Sequence, residues 1–329
     1  MINAAIVGLG GWGRNLVNHV QGKSPRIRFT VGCARSVERA RAFASEKGFP
    51  VRADYQSVLA DPSIDAIVLA TPHSAHAEQI MQAARAGKHV FTEKPFTLTR
   101  ATAEQAISVC AEHKVTLMVG YNWRYQPALQ EVLRMIADGR LGRVLHVEGN
   151  FNGPSVYRYA KDHWRPSREE GPAGGMTGRG CHVVDAMISI AGHVDSVYAM
   201  SKRQVLDSGL DDTTSMLLTF KQGATGYLGT VIATPECWRL QVLGSKGWAE
   251  MGSIPHLTTW TLRRCYLEQP MELVEFAGLS TERAELEAFA DAIVAGRSVV
   301  NDVGDLINNS AVLDAILRSV ETSSRVTIS

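Results

Sequence analysis

Lys94 stands between Glu93 and Pro95, about eighty residues after a glycine fingerprint, Gly8-Leu9-Gly10-Gly11-Trp12-Gly13. A lysine amine can take up or release a proton, and a glycine-rich turn opening a helix can admit a phosphate. Together they predict hydride chemistry on a nicotinamide dinucleotide, with a titratable group beside the ring. Lys94 follows an apolar run at residues 89–92, so it emerges at the carboxyl edge of a strand, with Pro95 holding the turn in a strained or cis form. Partial burial and the positive charge of an oxidised nicotinamide would bring its amine down from about 10.4 toward the range of a working proton acceptor.

His182 is the second candidate. It closes the run Gly174-Gly175-Met176-Thr177-Gly178-Arg179-Gly180-Cys181, where an irregular stretch turns helical and Val184, Ile188 and Ala191 form an apolar stripe. Its imidazole titrates near neutrality without help, at about 6.5, which suits a group taking a proton from a hydroxyl as hydride departs. Asp185 lies three residues on, and two roles stay open for it: orienting the imidazole, or a structural bond at the helix start.

The cofactor reading rests on context. Residues 2–7 form a short apolar strand and residues 15–20 read as helix, so the glycines sit between strand and helix as a dinucleotide turn requires. Gly8 allows the tight turn, Gly10 lets the backbone approach the pyrophosphate, and Gly13 lets the helix pack on the strand; Gly11 and Trp12 complete the loop. At the end of the next strand, residues 27–33, stands Ala34-Arg35-Ser36, where NAD-binding chains usually place a carboxylate on the ribose. A guanidinium and a hydroxyl can grip a 2′-phosphate, so NADP(H) is predicted over NAD(H), with either cofactor accepted if Arg35 is only a solvated charge. Thr71-Pro72-His73 with His76, following the strand at 67–70, would form the third edge of the site, together with Glu93, Lys94 and Asn122. His73 and His76 are also open to reading as water-exposed helix-start residues. Arg124, His163, Trp164, Arg165 and Arg179, with His182, are the candidate substrate contacts; arginines favour a carboxylate or many hydroxyls.

The elements that must position these groups change character along the chain. Up to about Gly120, strand-length apolar runs at 27–33, 66–70, 89–92 and 116–119 alternate with helical segments at 38–47, 76–86 and 102–113, which predicts a parallel sheet. After a helix at 127–137 come strands at 143–151, 196–204, 213–220, 224–232, 238–243, 247–251 and 257–263, a run that predicts a large antiparallel sheet. Helices at 282–295 and 305–320 follow, and the stretch 153–179 is too long to be a mere connection. The 329 residues therefore divide into an α/β Rossmann domain, 1–121, and an α+β substrate domain, 122–329.

Composition narrows the partners. The formal charge of +1 comes from dispersed residues, which argues against a nucleic-acid face, and no apolar stretch approaches a membrane span. Five scattered cysteines without metal-like spacing predict a reducing compartment and no metal site. A small-molecule substrate and a cytoplasmic location are the expectations.

With these residues assembled, the chain resembles the Gfo/Idh/MocA oxidoreductases (glucose-fructose oxidoreductase, inositol dehydrogenase and rhizopine-catabolism proteins). The resemblance rests on Gly8-x-Gly10-x-x-Gly13, Ala70-Thr71-Pro72, Glu93-Lys94-Pro95, Trp164-Arg165, Gly180-Cys181-His182-Val183-Val184-Asp185 and the closing helix Leu286 to Ile293. Taken with Arg35, it implies an NADP(H)-dependent dehydrogenase or reductase acting on a CH-OH or ketone group of a sugar-like or cyclic polyol. It also implies proton handling by Lys94 and His182, and homodimers or homotetramers through the open sheet. One departure stands out: the Asp that such enzymes commonly carry four residues before the histidine is replaced by Gly178, with Thr177 or Arg179 as the neighbours able to substitute. Two further readings remain open at this level, an NAD-dependent glycoside hydrolase of the same fold and a non-catalytic NAD(P)-binding sensor.

Overall fold

A computed structural model describes residues 1–158, 163–207, 209–253 and 261–328. The first part of the chain runs β1 (Ile2–Val7), α1 (Gly11–Val20), β2 (Ile27–Cys33), α2 (Val37–Glu46), β3 (Val51–Arg52), α3 (Tyr55–Leu59), β4 (Ala66–Leu69), α4 (His76–Arg85), β5 (His89–Glu93), α5 (Arg100–Glu112) and β6 (Leu117–Gly120). The six strands form one parallel sheet in the order β3-β2-β1-β4-β5-β6, the doubly wound order whose chain reversal lies beside β1. Strands β4 and β6 are buried along their whole length, as continuous apolar runs such as Ala66-Ile67-Val68-Leu69 require between two helical layers.

The second part runs α6 (Pro127–Ala137), β7 (Val144–Asn152), α7 (Cys181–Ala191), β8 (Val194–Lys202), β9 (Thr213–Phe220), β10 (Thr225–Val231), β11 (Cys237–Gly244), β12 (Gly247–Ser253), β13 (Thr261–Tyr266), β14 (Glu272–Glu275), α8 (Thr281–Val294), α9 (Val303–Thr322) and β15 (Val326–Thr327). Its nine-stranded sheet, β14-β13-β12-β11-β7-β10-β9-β8-β15, is antiparallel except where β10 runs parallel to β7. Alternation along β9 and β10 puts Met216, Leu218 and Leu228 into a core shared with α6, α7 and α9, while Leu217 and Tyr227 face out. Leu129, Val132 and Met135 of α6 recur at helical spacing on the same core, each contributing about 1.5–3 kcal/mol on burial.

Two compact units result, and they do not follow the chain in two blocks. The first comprises Met1–Thr97, Ala101–Asn122 and Ser280–Val303; the second comprises Leu98–Arg100, Trp123–Leu279 and Gly304–Ser329. Helix α8 thus returns to the Rossmann sheet, where Phe289 meets Phe91 of β5 edge-on at 5.8 Å.

The architecture expected from the sequence is present, with local differences. Helix α1 begins at Gly11 rather than near residue 15, because packing overrides the poor helix propensity of its glycines. The short α3 is capped by Asp54, whose carboxylate accepts from the Gln56 and Ser57 amides, but at five residues it carries too little periodicity to be read. The strand expected at 257–263 starts at Thr261, and 257–260 lie outside the described residues. Within the irregular stretch 153–179 the structure contains a short 3-10 turn, Ser155–Arg158, and a single π-helical turn, Met176–Gly180, that leads straight into α7; residues 159–162 lie outside the described set. Among the described residues, no helix is long and apolar enough to cross a membrane.

Candidate functional site: a glycine cradle and a histidine on an aromatic floor

In the first unit, the turn from β1 to α1 is shaped by contact. Gly8 has φ +96°, and a Cβ there would strike the Ala70 carbonyl; one at Gly13 would strike the carbonyl of Gly8. Gly10 and Gly11 are different, since a Cβ on either would meet nothing within 4 Å. The protein's own atoms leave that space open, and no side chain caps α1 or places a carboxylate in its first turn. An open backbone surface at a helix N-terminus fits a pyrophosphate, which is attracted there by the helix dipole and the turn amides. Arg14 steadies the turn, donating to the Leu9 carbonyl at 3.1 Å and to the Arg39 carbonyl at 2.7 Å. Trp12 is half-buried beside it.

At the end of β2, Ala34 donates its amide to the Arg52 carbonyl, and Arg35 and Ser36 are exposed. Arg35 makes no hydrogen bond or ion pair with any described residue, and the Ser36 hydroxyl does not cap α2. Burial, then the nearby Asp54, pushes the Cys33 thiol up to about 11.

The third edge is more rigid than the sequence suggested. His76 is fully buried, its Nδ1 2.8 Å from the Pro95 carbonyl and its Nε2 3.2 Å from the Thr71 carbonyl, so the ring ties the turn after β4 to the turn after β5. Thr71 donates its hydroxyl to Gln79 at 2.6 Å, and His73 is buried with its ring 6.0 Å from that of His76. Water-exposed histidines, the second reading, are therefore not what the fold holds. The peptide between Lys94 and Pro95 is cis. The Lys94 amide donates to the Glu93 carboxylate at 3.3 Å, Glu93 is buried and Lys94 half-buried. Asn122 is buried and donates to the Thr281 hydroxyl at 3.4 Å.

In the second unit, His182 opens α7 directly after the π-helical turn and is 5% exposed. It stacks on Trp123, ring centres 5.6 Å apart and planes 17° from parallel, with Phe151 at 6.3 Å. Trp238 lies 4.5 Å from Trp123, so three aromatic rings form the floor that fixes the imidazole. Sequence reasoning missed this floor. Trp123, Phe151 and Trp238 lie on three different elements, and no local spacing joins them.

Asp185 does not orient the imidazole. Its two carboxylate oxygens accept from Arg124 Nε and Nη2, each at 2.8 Å, and Arg124 Nη2 also donates to Asp305 at 3.0 Å. Burial pushes the Asp185 carboxyl up and Arg124 pulls it back; burial also opposes the Arg124 charge, but Asp185 and Asp305 outweigh it and hold the guanidinium charged. Arg124, expected on the substrate, is instead the clamp that fixes the first turns of α7 and α9. Thr177 is fully buried and accepts the Ala173 amide at 3.1 Å. Arg179 lies 4.6 Å over Phe151, donates to the Asn152 carbonyl and faces Glu236 at 3.8 Å. Among the described atoms, a Cβ at Gly178 would meet only Arg165 Nη1, at 4.0 Å. His163 accepts the Arg165 amide and stacks on Trp164, over which Arg165 sits at 4.7 Å.

Comparison with known proteins agrees with both halves. The Gfo/Idh/MocA oxidoreductase model with an NAD-binding Rossmann fold matches residues 2–121, and the Gfo/Idh/MocA C-terminal domain model matches 129–250. The chain is 29% identical over 301 residues to D-xylose 1-dehydrogenase (NADP+) 2 of Haloferax volcanii, covering 89% of this chain and 90% of that one. It is 28% identical to inositol 2-dehydrogenase of Rhizobium meliloti, covering 88% of each. Among solved structures, aldose-aldose oxidoreductase from Caulobacter crescentus, complexed with glycerol, superposes with a TM-score of 0.90 at 25% identity over 99% of both chains. The chain belongs to the Gfo/Idh/MocA family and is an NAD(P)-dependent dehydrogenase.

Proposed function

We propose that the protein moves hydride between NADP(H) and a secondary alcohol or ketone of a sugar-like or cyclic polyol. The observation that carries the cofactor choice is Arg35, an exposed guanidinium at the end of β2 with no partner among the described residues and no carboxylate beside it in Ala34-Arg35-Ser36. An acidic residue there would bond a ribose 2′-hydroxyl and repel a 2′-phosphate; Arg35 and the uncommitted Ser36 hydroxyl do the reverse. The relatives are named for both cofactors and for sugar or cyclitol substrates, which supports the substrate class.

Bound cofactor supplies or accepts the hydride at its nicotinamide. The residues of the chain manage the rest: Gly8, Gly10, Gly11, Trp12 and Gly13 receive the pyrophosphate, and Thr71, Pro72 and His73, with Asn122, border the cofactor. Lys94 and His182 hold and release the substrate proton, and His163, Trp164, Arg165 and Arg179 bind substrate hydroxyls. Glu93 acts on Lys94 from the preceding position. Initial rates with NADP+ and NAD+ across aldoses, ketoses and cyclitols test this, with at least a tenfold preference in kcat/KM for NADP+ expected on one of them. A tenfold preference for NAD+ overturns the cofactor assignment.

The same reading includes assembly into a homodimer or homotetramer through the nine-stranded sheet. Tyr198, Leu217 and Tyr227 lie side by side in cross-strand register on β8, β9 and β10, 37%, 57% and 39% exposed, with Met200 and Leu145 also exposed. Light scattering of the parent and of Leu217→Lys tests it. A parent that elutes as a monomer removes the assembly.

A further inference from the structure

Helix α8 carries two buried glutamates with opposite surroundings. Glu282 accepts hydrogen bonds from Asn15 Nδ2 at 3.3 Å and from the Thr281 hydroxyl at 3.3 Å, and lies 4.0 Å from His19. Glu285, one turn on, is completely buried, and neither of its carboxyl oxygens has a hydrogen-bond partner among the described residues. A bare carboxylate in that position would lose its hydration with no hydrogen bond in return.

Its placement says what it faces. Phe289 lies four residues after Glu285, on the same face of α8, and packs on Phe91 of β5. Phe91 and Glu93 are two residues apart in β5 and both reach over Gly120, on the side of the sheet where Phe289 of α8 meets Phe91, so Glu93 and Glu285 belong to the same α8–β5 contact. The Glu93 carboxylate reaches over Gly120, where an added Cβ would lie 3.2 Å from Oε1. The helix packs against α1, β2, β5 and β6. The charged groups that act on Glu285 from these neighbours and from its own helix are Glu93, Glu282 and Lys94, with His19 of α1 behind Glu282. Burial, then Glu93 and Glu282, drive the Glu285 carboxyl well above its ordinary range, and only Lys94 opposes them.

We propose that Glu93 and Glu285 form a carboxyl pair that carries one negative charge beside Lys94, with the pair's proton resident on Glu285. Two buried carboxylates that act on each other across one helix–strand contact do not both ionise against one ammonium. The pair makes Glu285 a positioning residue: it keeps the counter-charge of Lys94 at one, so the lysine can still release its proton. Were both carboxyls ionised, Lys94 would be held charged and would not accept a proton from an alcohol. This rests on the reading of Lys94 as the proton-handling group, and extends it to a residue almost two hundred positions away.

Two measurements on the full-length holoenzyme test it. Infrared spectroscopy at neutral pH is expected to show a protonated-carboxyl stretching band that is lost in Glu285→Gln; no such difference overturns the proposal, whatever Lys94 does in catalysis. The second is the acid limb of kcat/KM for alcohol oxidation, which reports deprotonation of Lys94 on the function proposed above. Glu285→Gln is expected to leave that limb where it is, whereas Glu93→Gln/Glu285→Gln, which removes every negative charge from the pair, moves it toward acid by about one to two pH units. Glu93→Gln alone moves it less, because Glu285 then ionises in its place. A double variant no different from Glu93→Gln, or an acid shift in Glu285→Gln alone, overturns the single-charge pair. Should Glu285→Gln fail to fold, the infrared band of Glu93→Gln replaces it: the band weakens if the proton leaves Glu285, and stays at full strength if the two carboxyls are not coupled.

Discussion

The glycine cradle of the first unit and the clamp of the second solve the same task, holding reactive groups still, by opposite means. Around Gly8, Gly10, Gly11 and Gly13 the backbone does the positioning, and Gly10 and Gly11 leave space that no described atom fills. Around His182 the side chains do it: Arg124 grips Asp185 and Asp305, and Trp123, Phe151 and Trp238 fix the ring. A cradle of open backbone carries little of the fold's stability, so it can change with its ligand. A clamp of buried charge cannot change without the unit noticing.

The comparison can be sharpened or broken by mutation. The largest effect is expected for Lys94→Met, where turnover falls by about two to four decades, the scale of lost acid/base catalysis, while cofactor affinity by fluorescence titration stays near the parent. Unchanged turnover would take Lys94 out of the chemistry. Next comes Asp185→Asn, which leaves Arg124 with Asp305 as its remaining carboxylate and should cost about 1.5–3 kcal/mol in urea unfolding. A loss below about 1 kcal/mol would mean that the clamp is no more than a surface pair. Gly10→Ala should give the reverse signature: stability within about 1 kcal/mol of the parent, because the added Cβ meets no described atom within 4 Å, but cofactor affinity at least tenfold weaker. If it unfolds the protein instead, the cradle is structural and the contrast fails. The smallest effect is that of Arg35→Ala, expected to reduce the NADP+ to NAD+ preference by about tenfold, a loss of 1.4 kcal/mol, with no change in melting temperature.

What was legible in the sequence follows the same division. The glycine turn, the alternation of 2–7, 27–33 and 66–70 with helices, and the Glu93-Lys94-Pro95 turn are local, so spacing alone exposes them. The parallel order and the large antiparallel sheet followed from that alternation and from its end after Gly120. Long-range pairing did not show. Asp185 sits at the right spacing to serve His182 on one helix, yet its partner is Arg124, sixty-one positions upstream. His76 read as a solvent-facing helix start or a cofactor contact, but its ring is fully buried between carbonyls of two separate turns. Glu285 immediately precedes the helix motif that marked the family resemblance, but its importance comes from Glu93, and nothing local joins them.

The late return of α8 has a consequence for biosynthesis. Phe91 is wholly shielded in the finished protein, and Phe289 is part of what shields it. A ribosome that has released only the Rossmann strands leaves that ring, and the acidic end of β5 beside it, without the helix that covers both. The nucleotide half therefore matures only after the sheet of the other half has been translated, and a fragment stopped at residue 121 should be a sticky, incomplete object that α8 supplied as a separate peptide would improve.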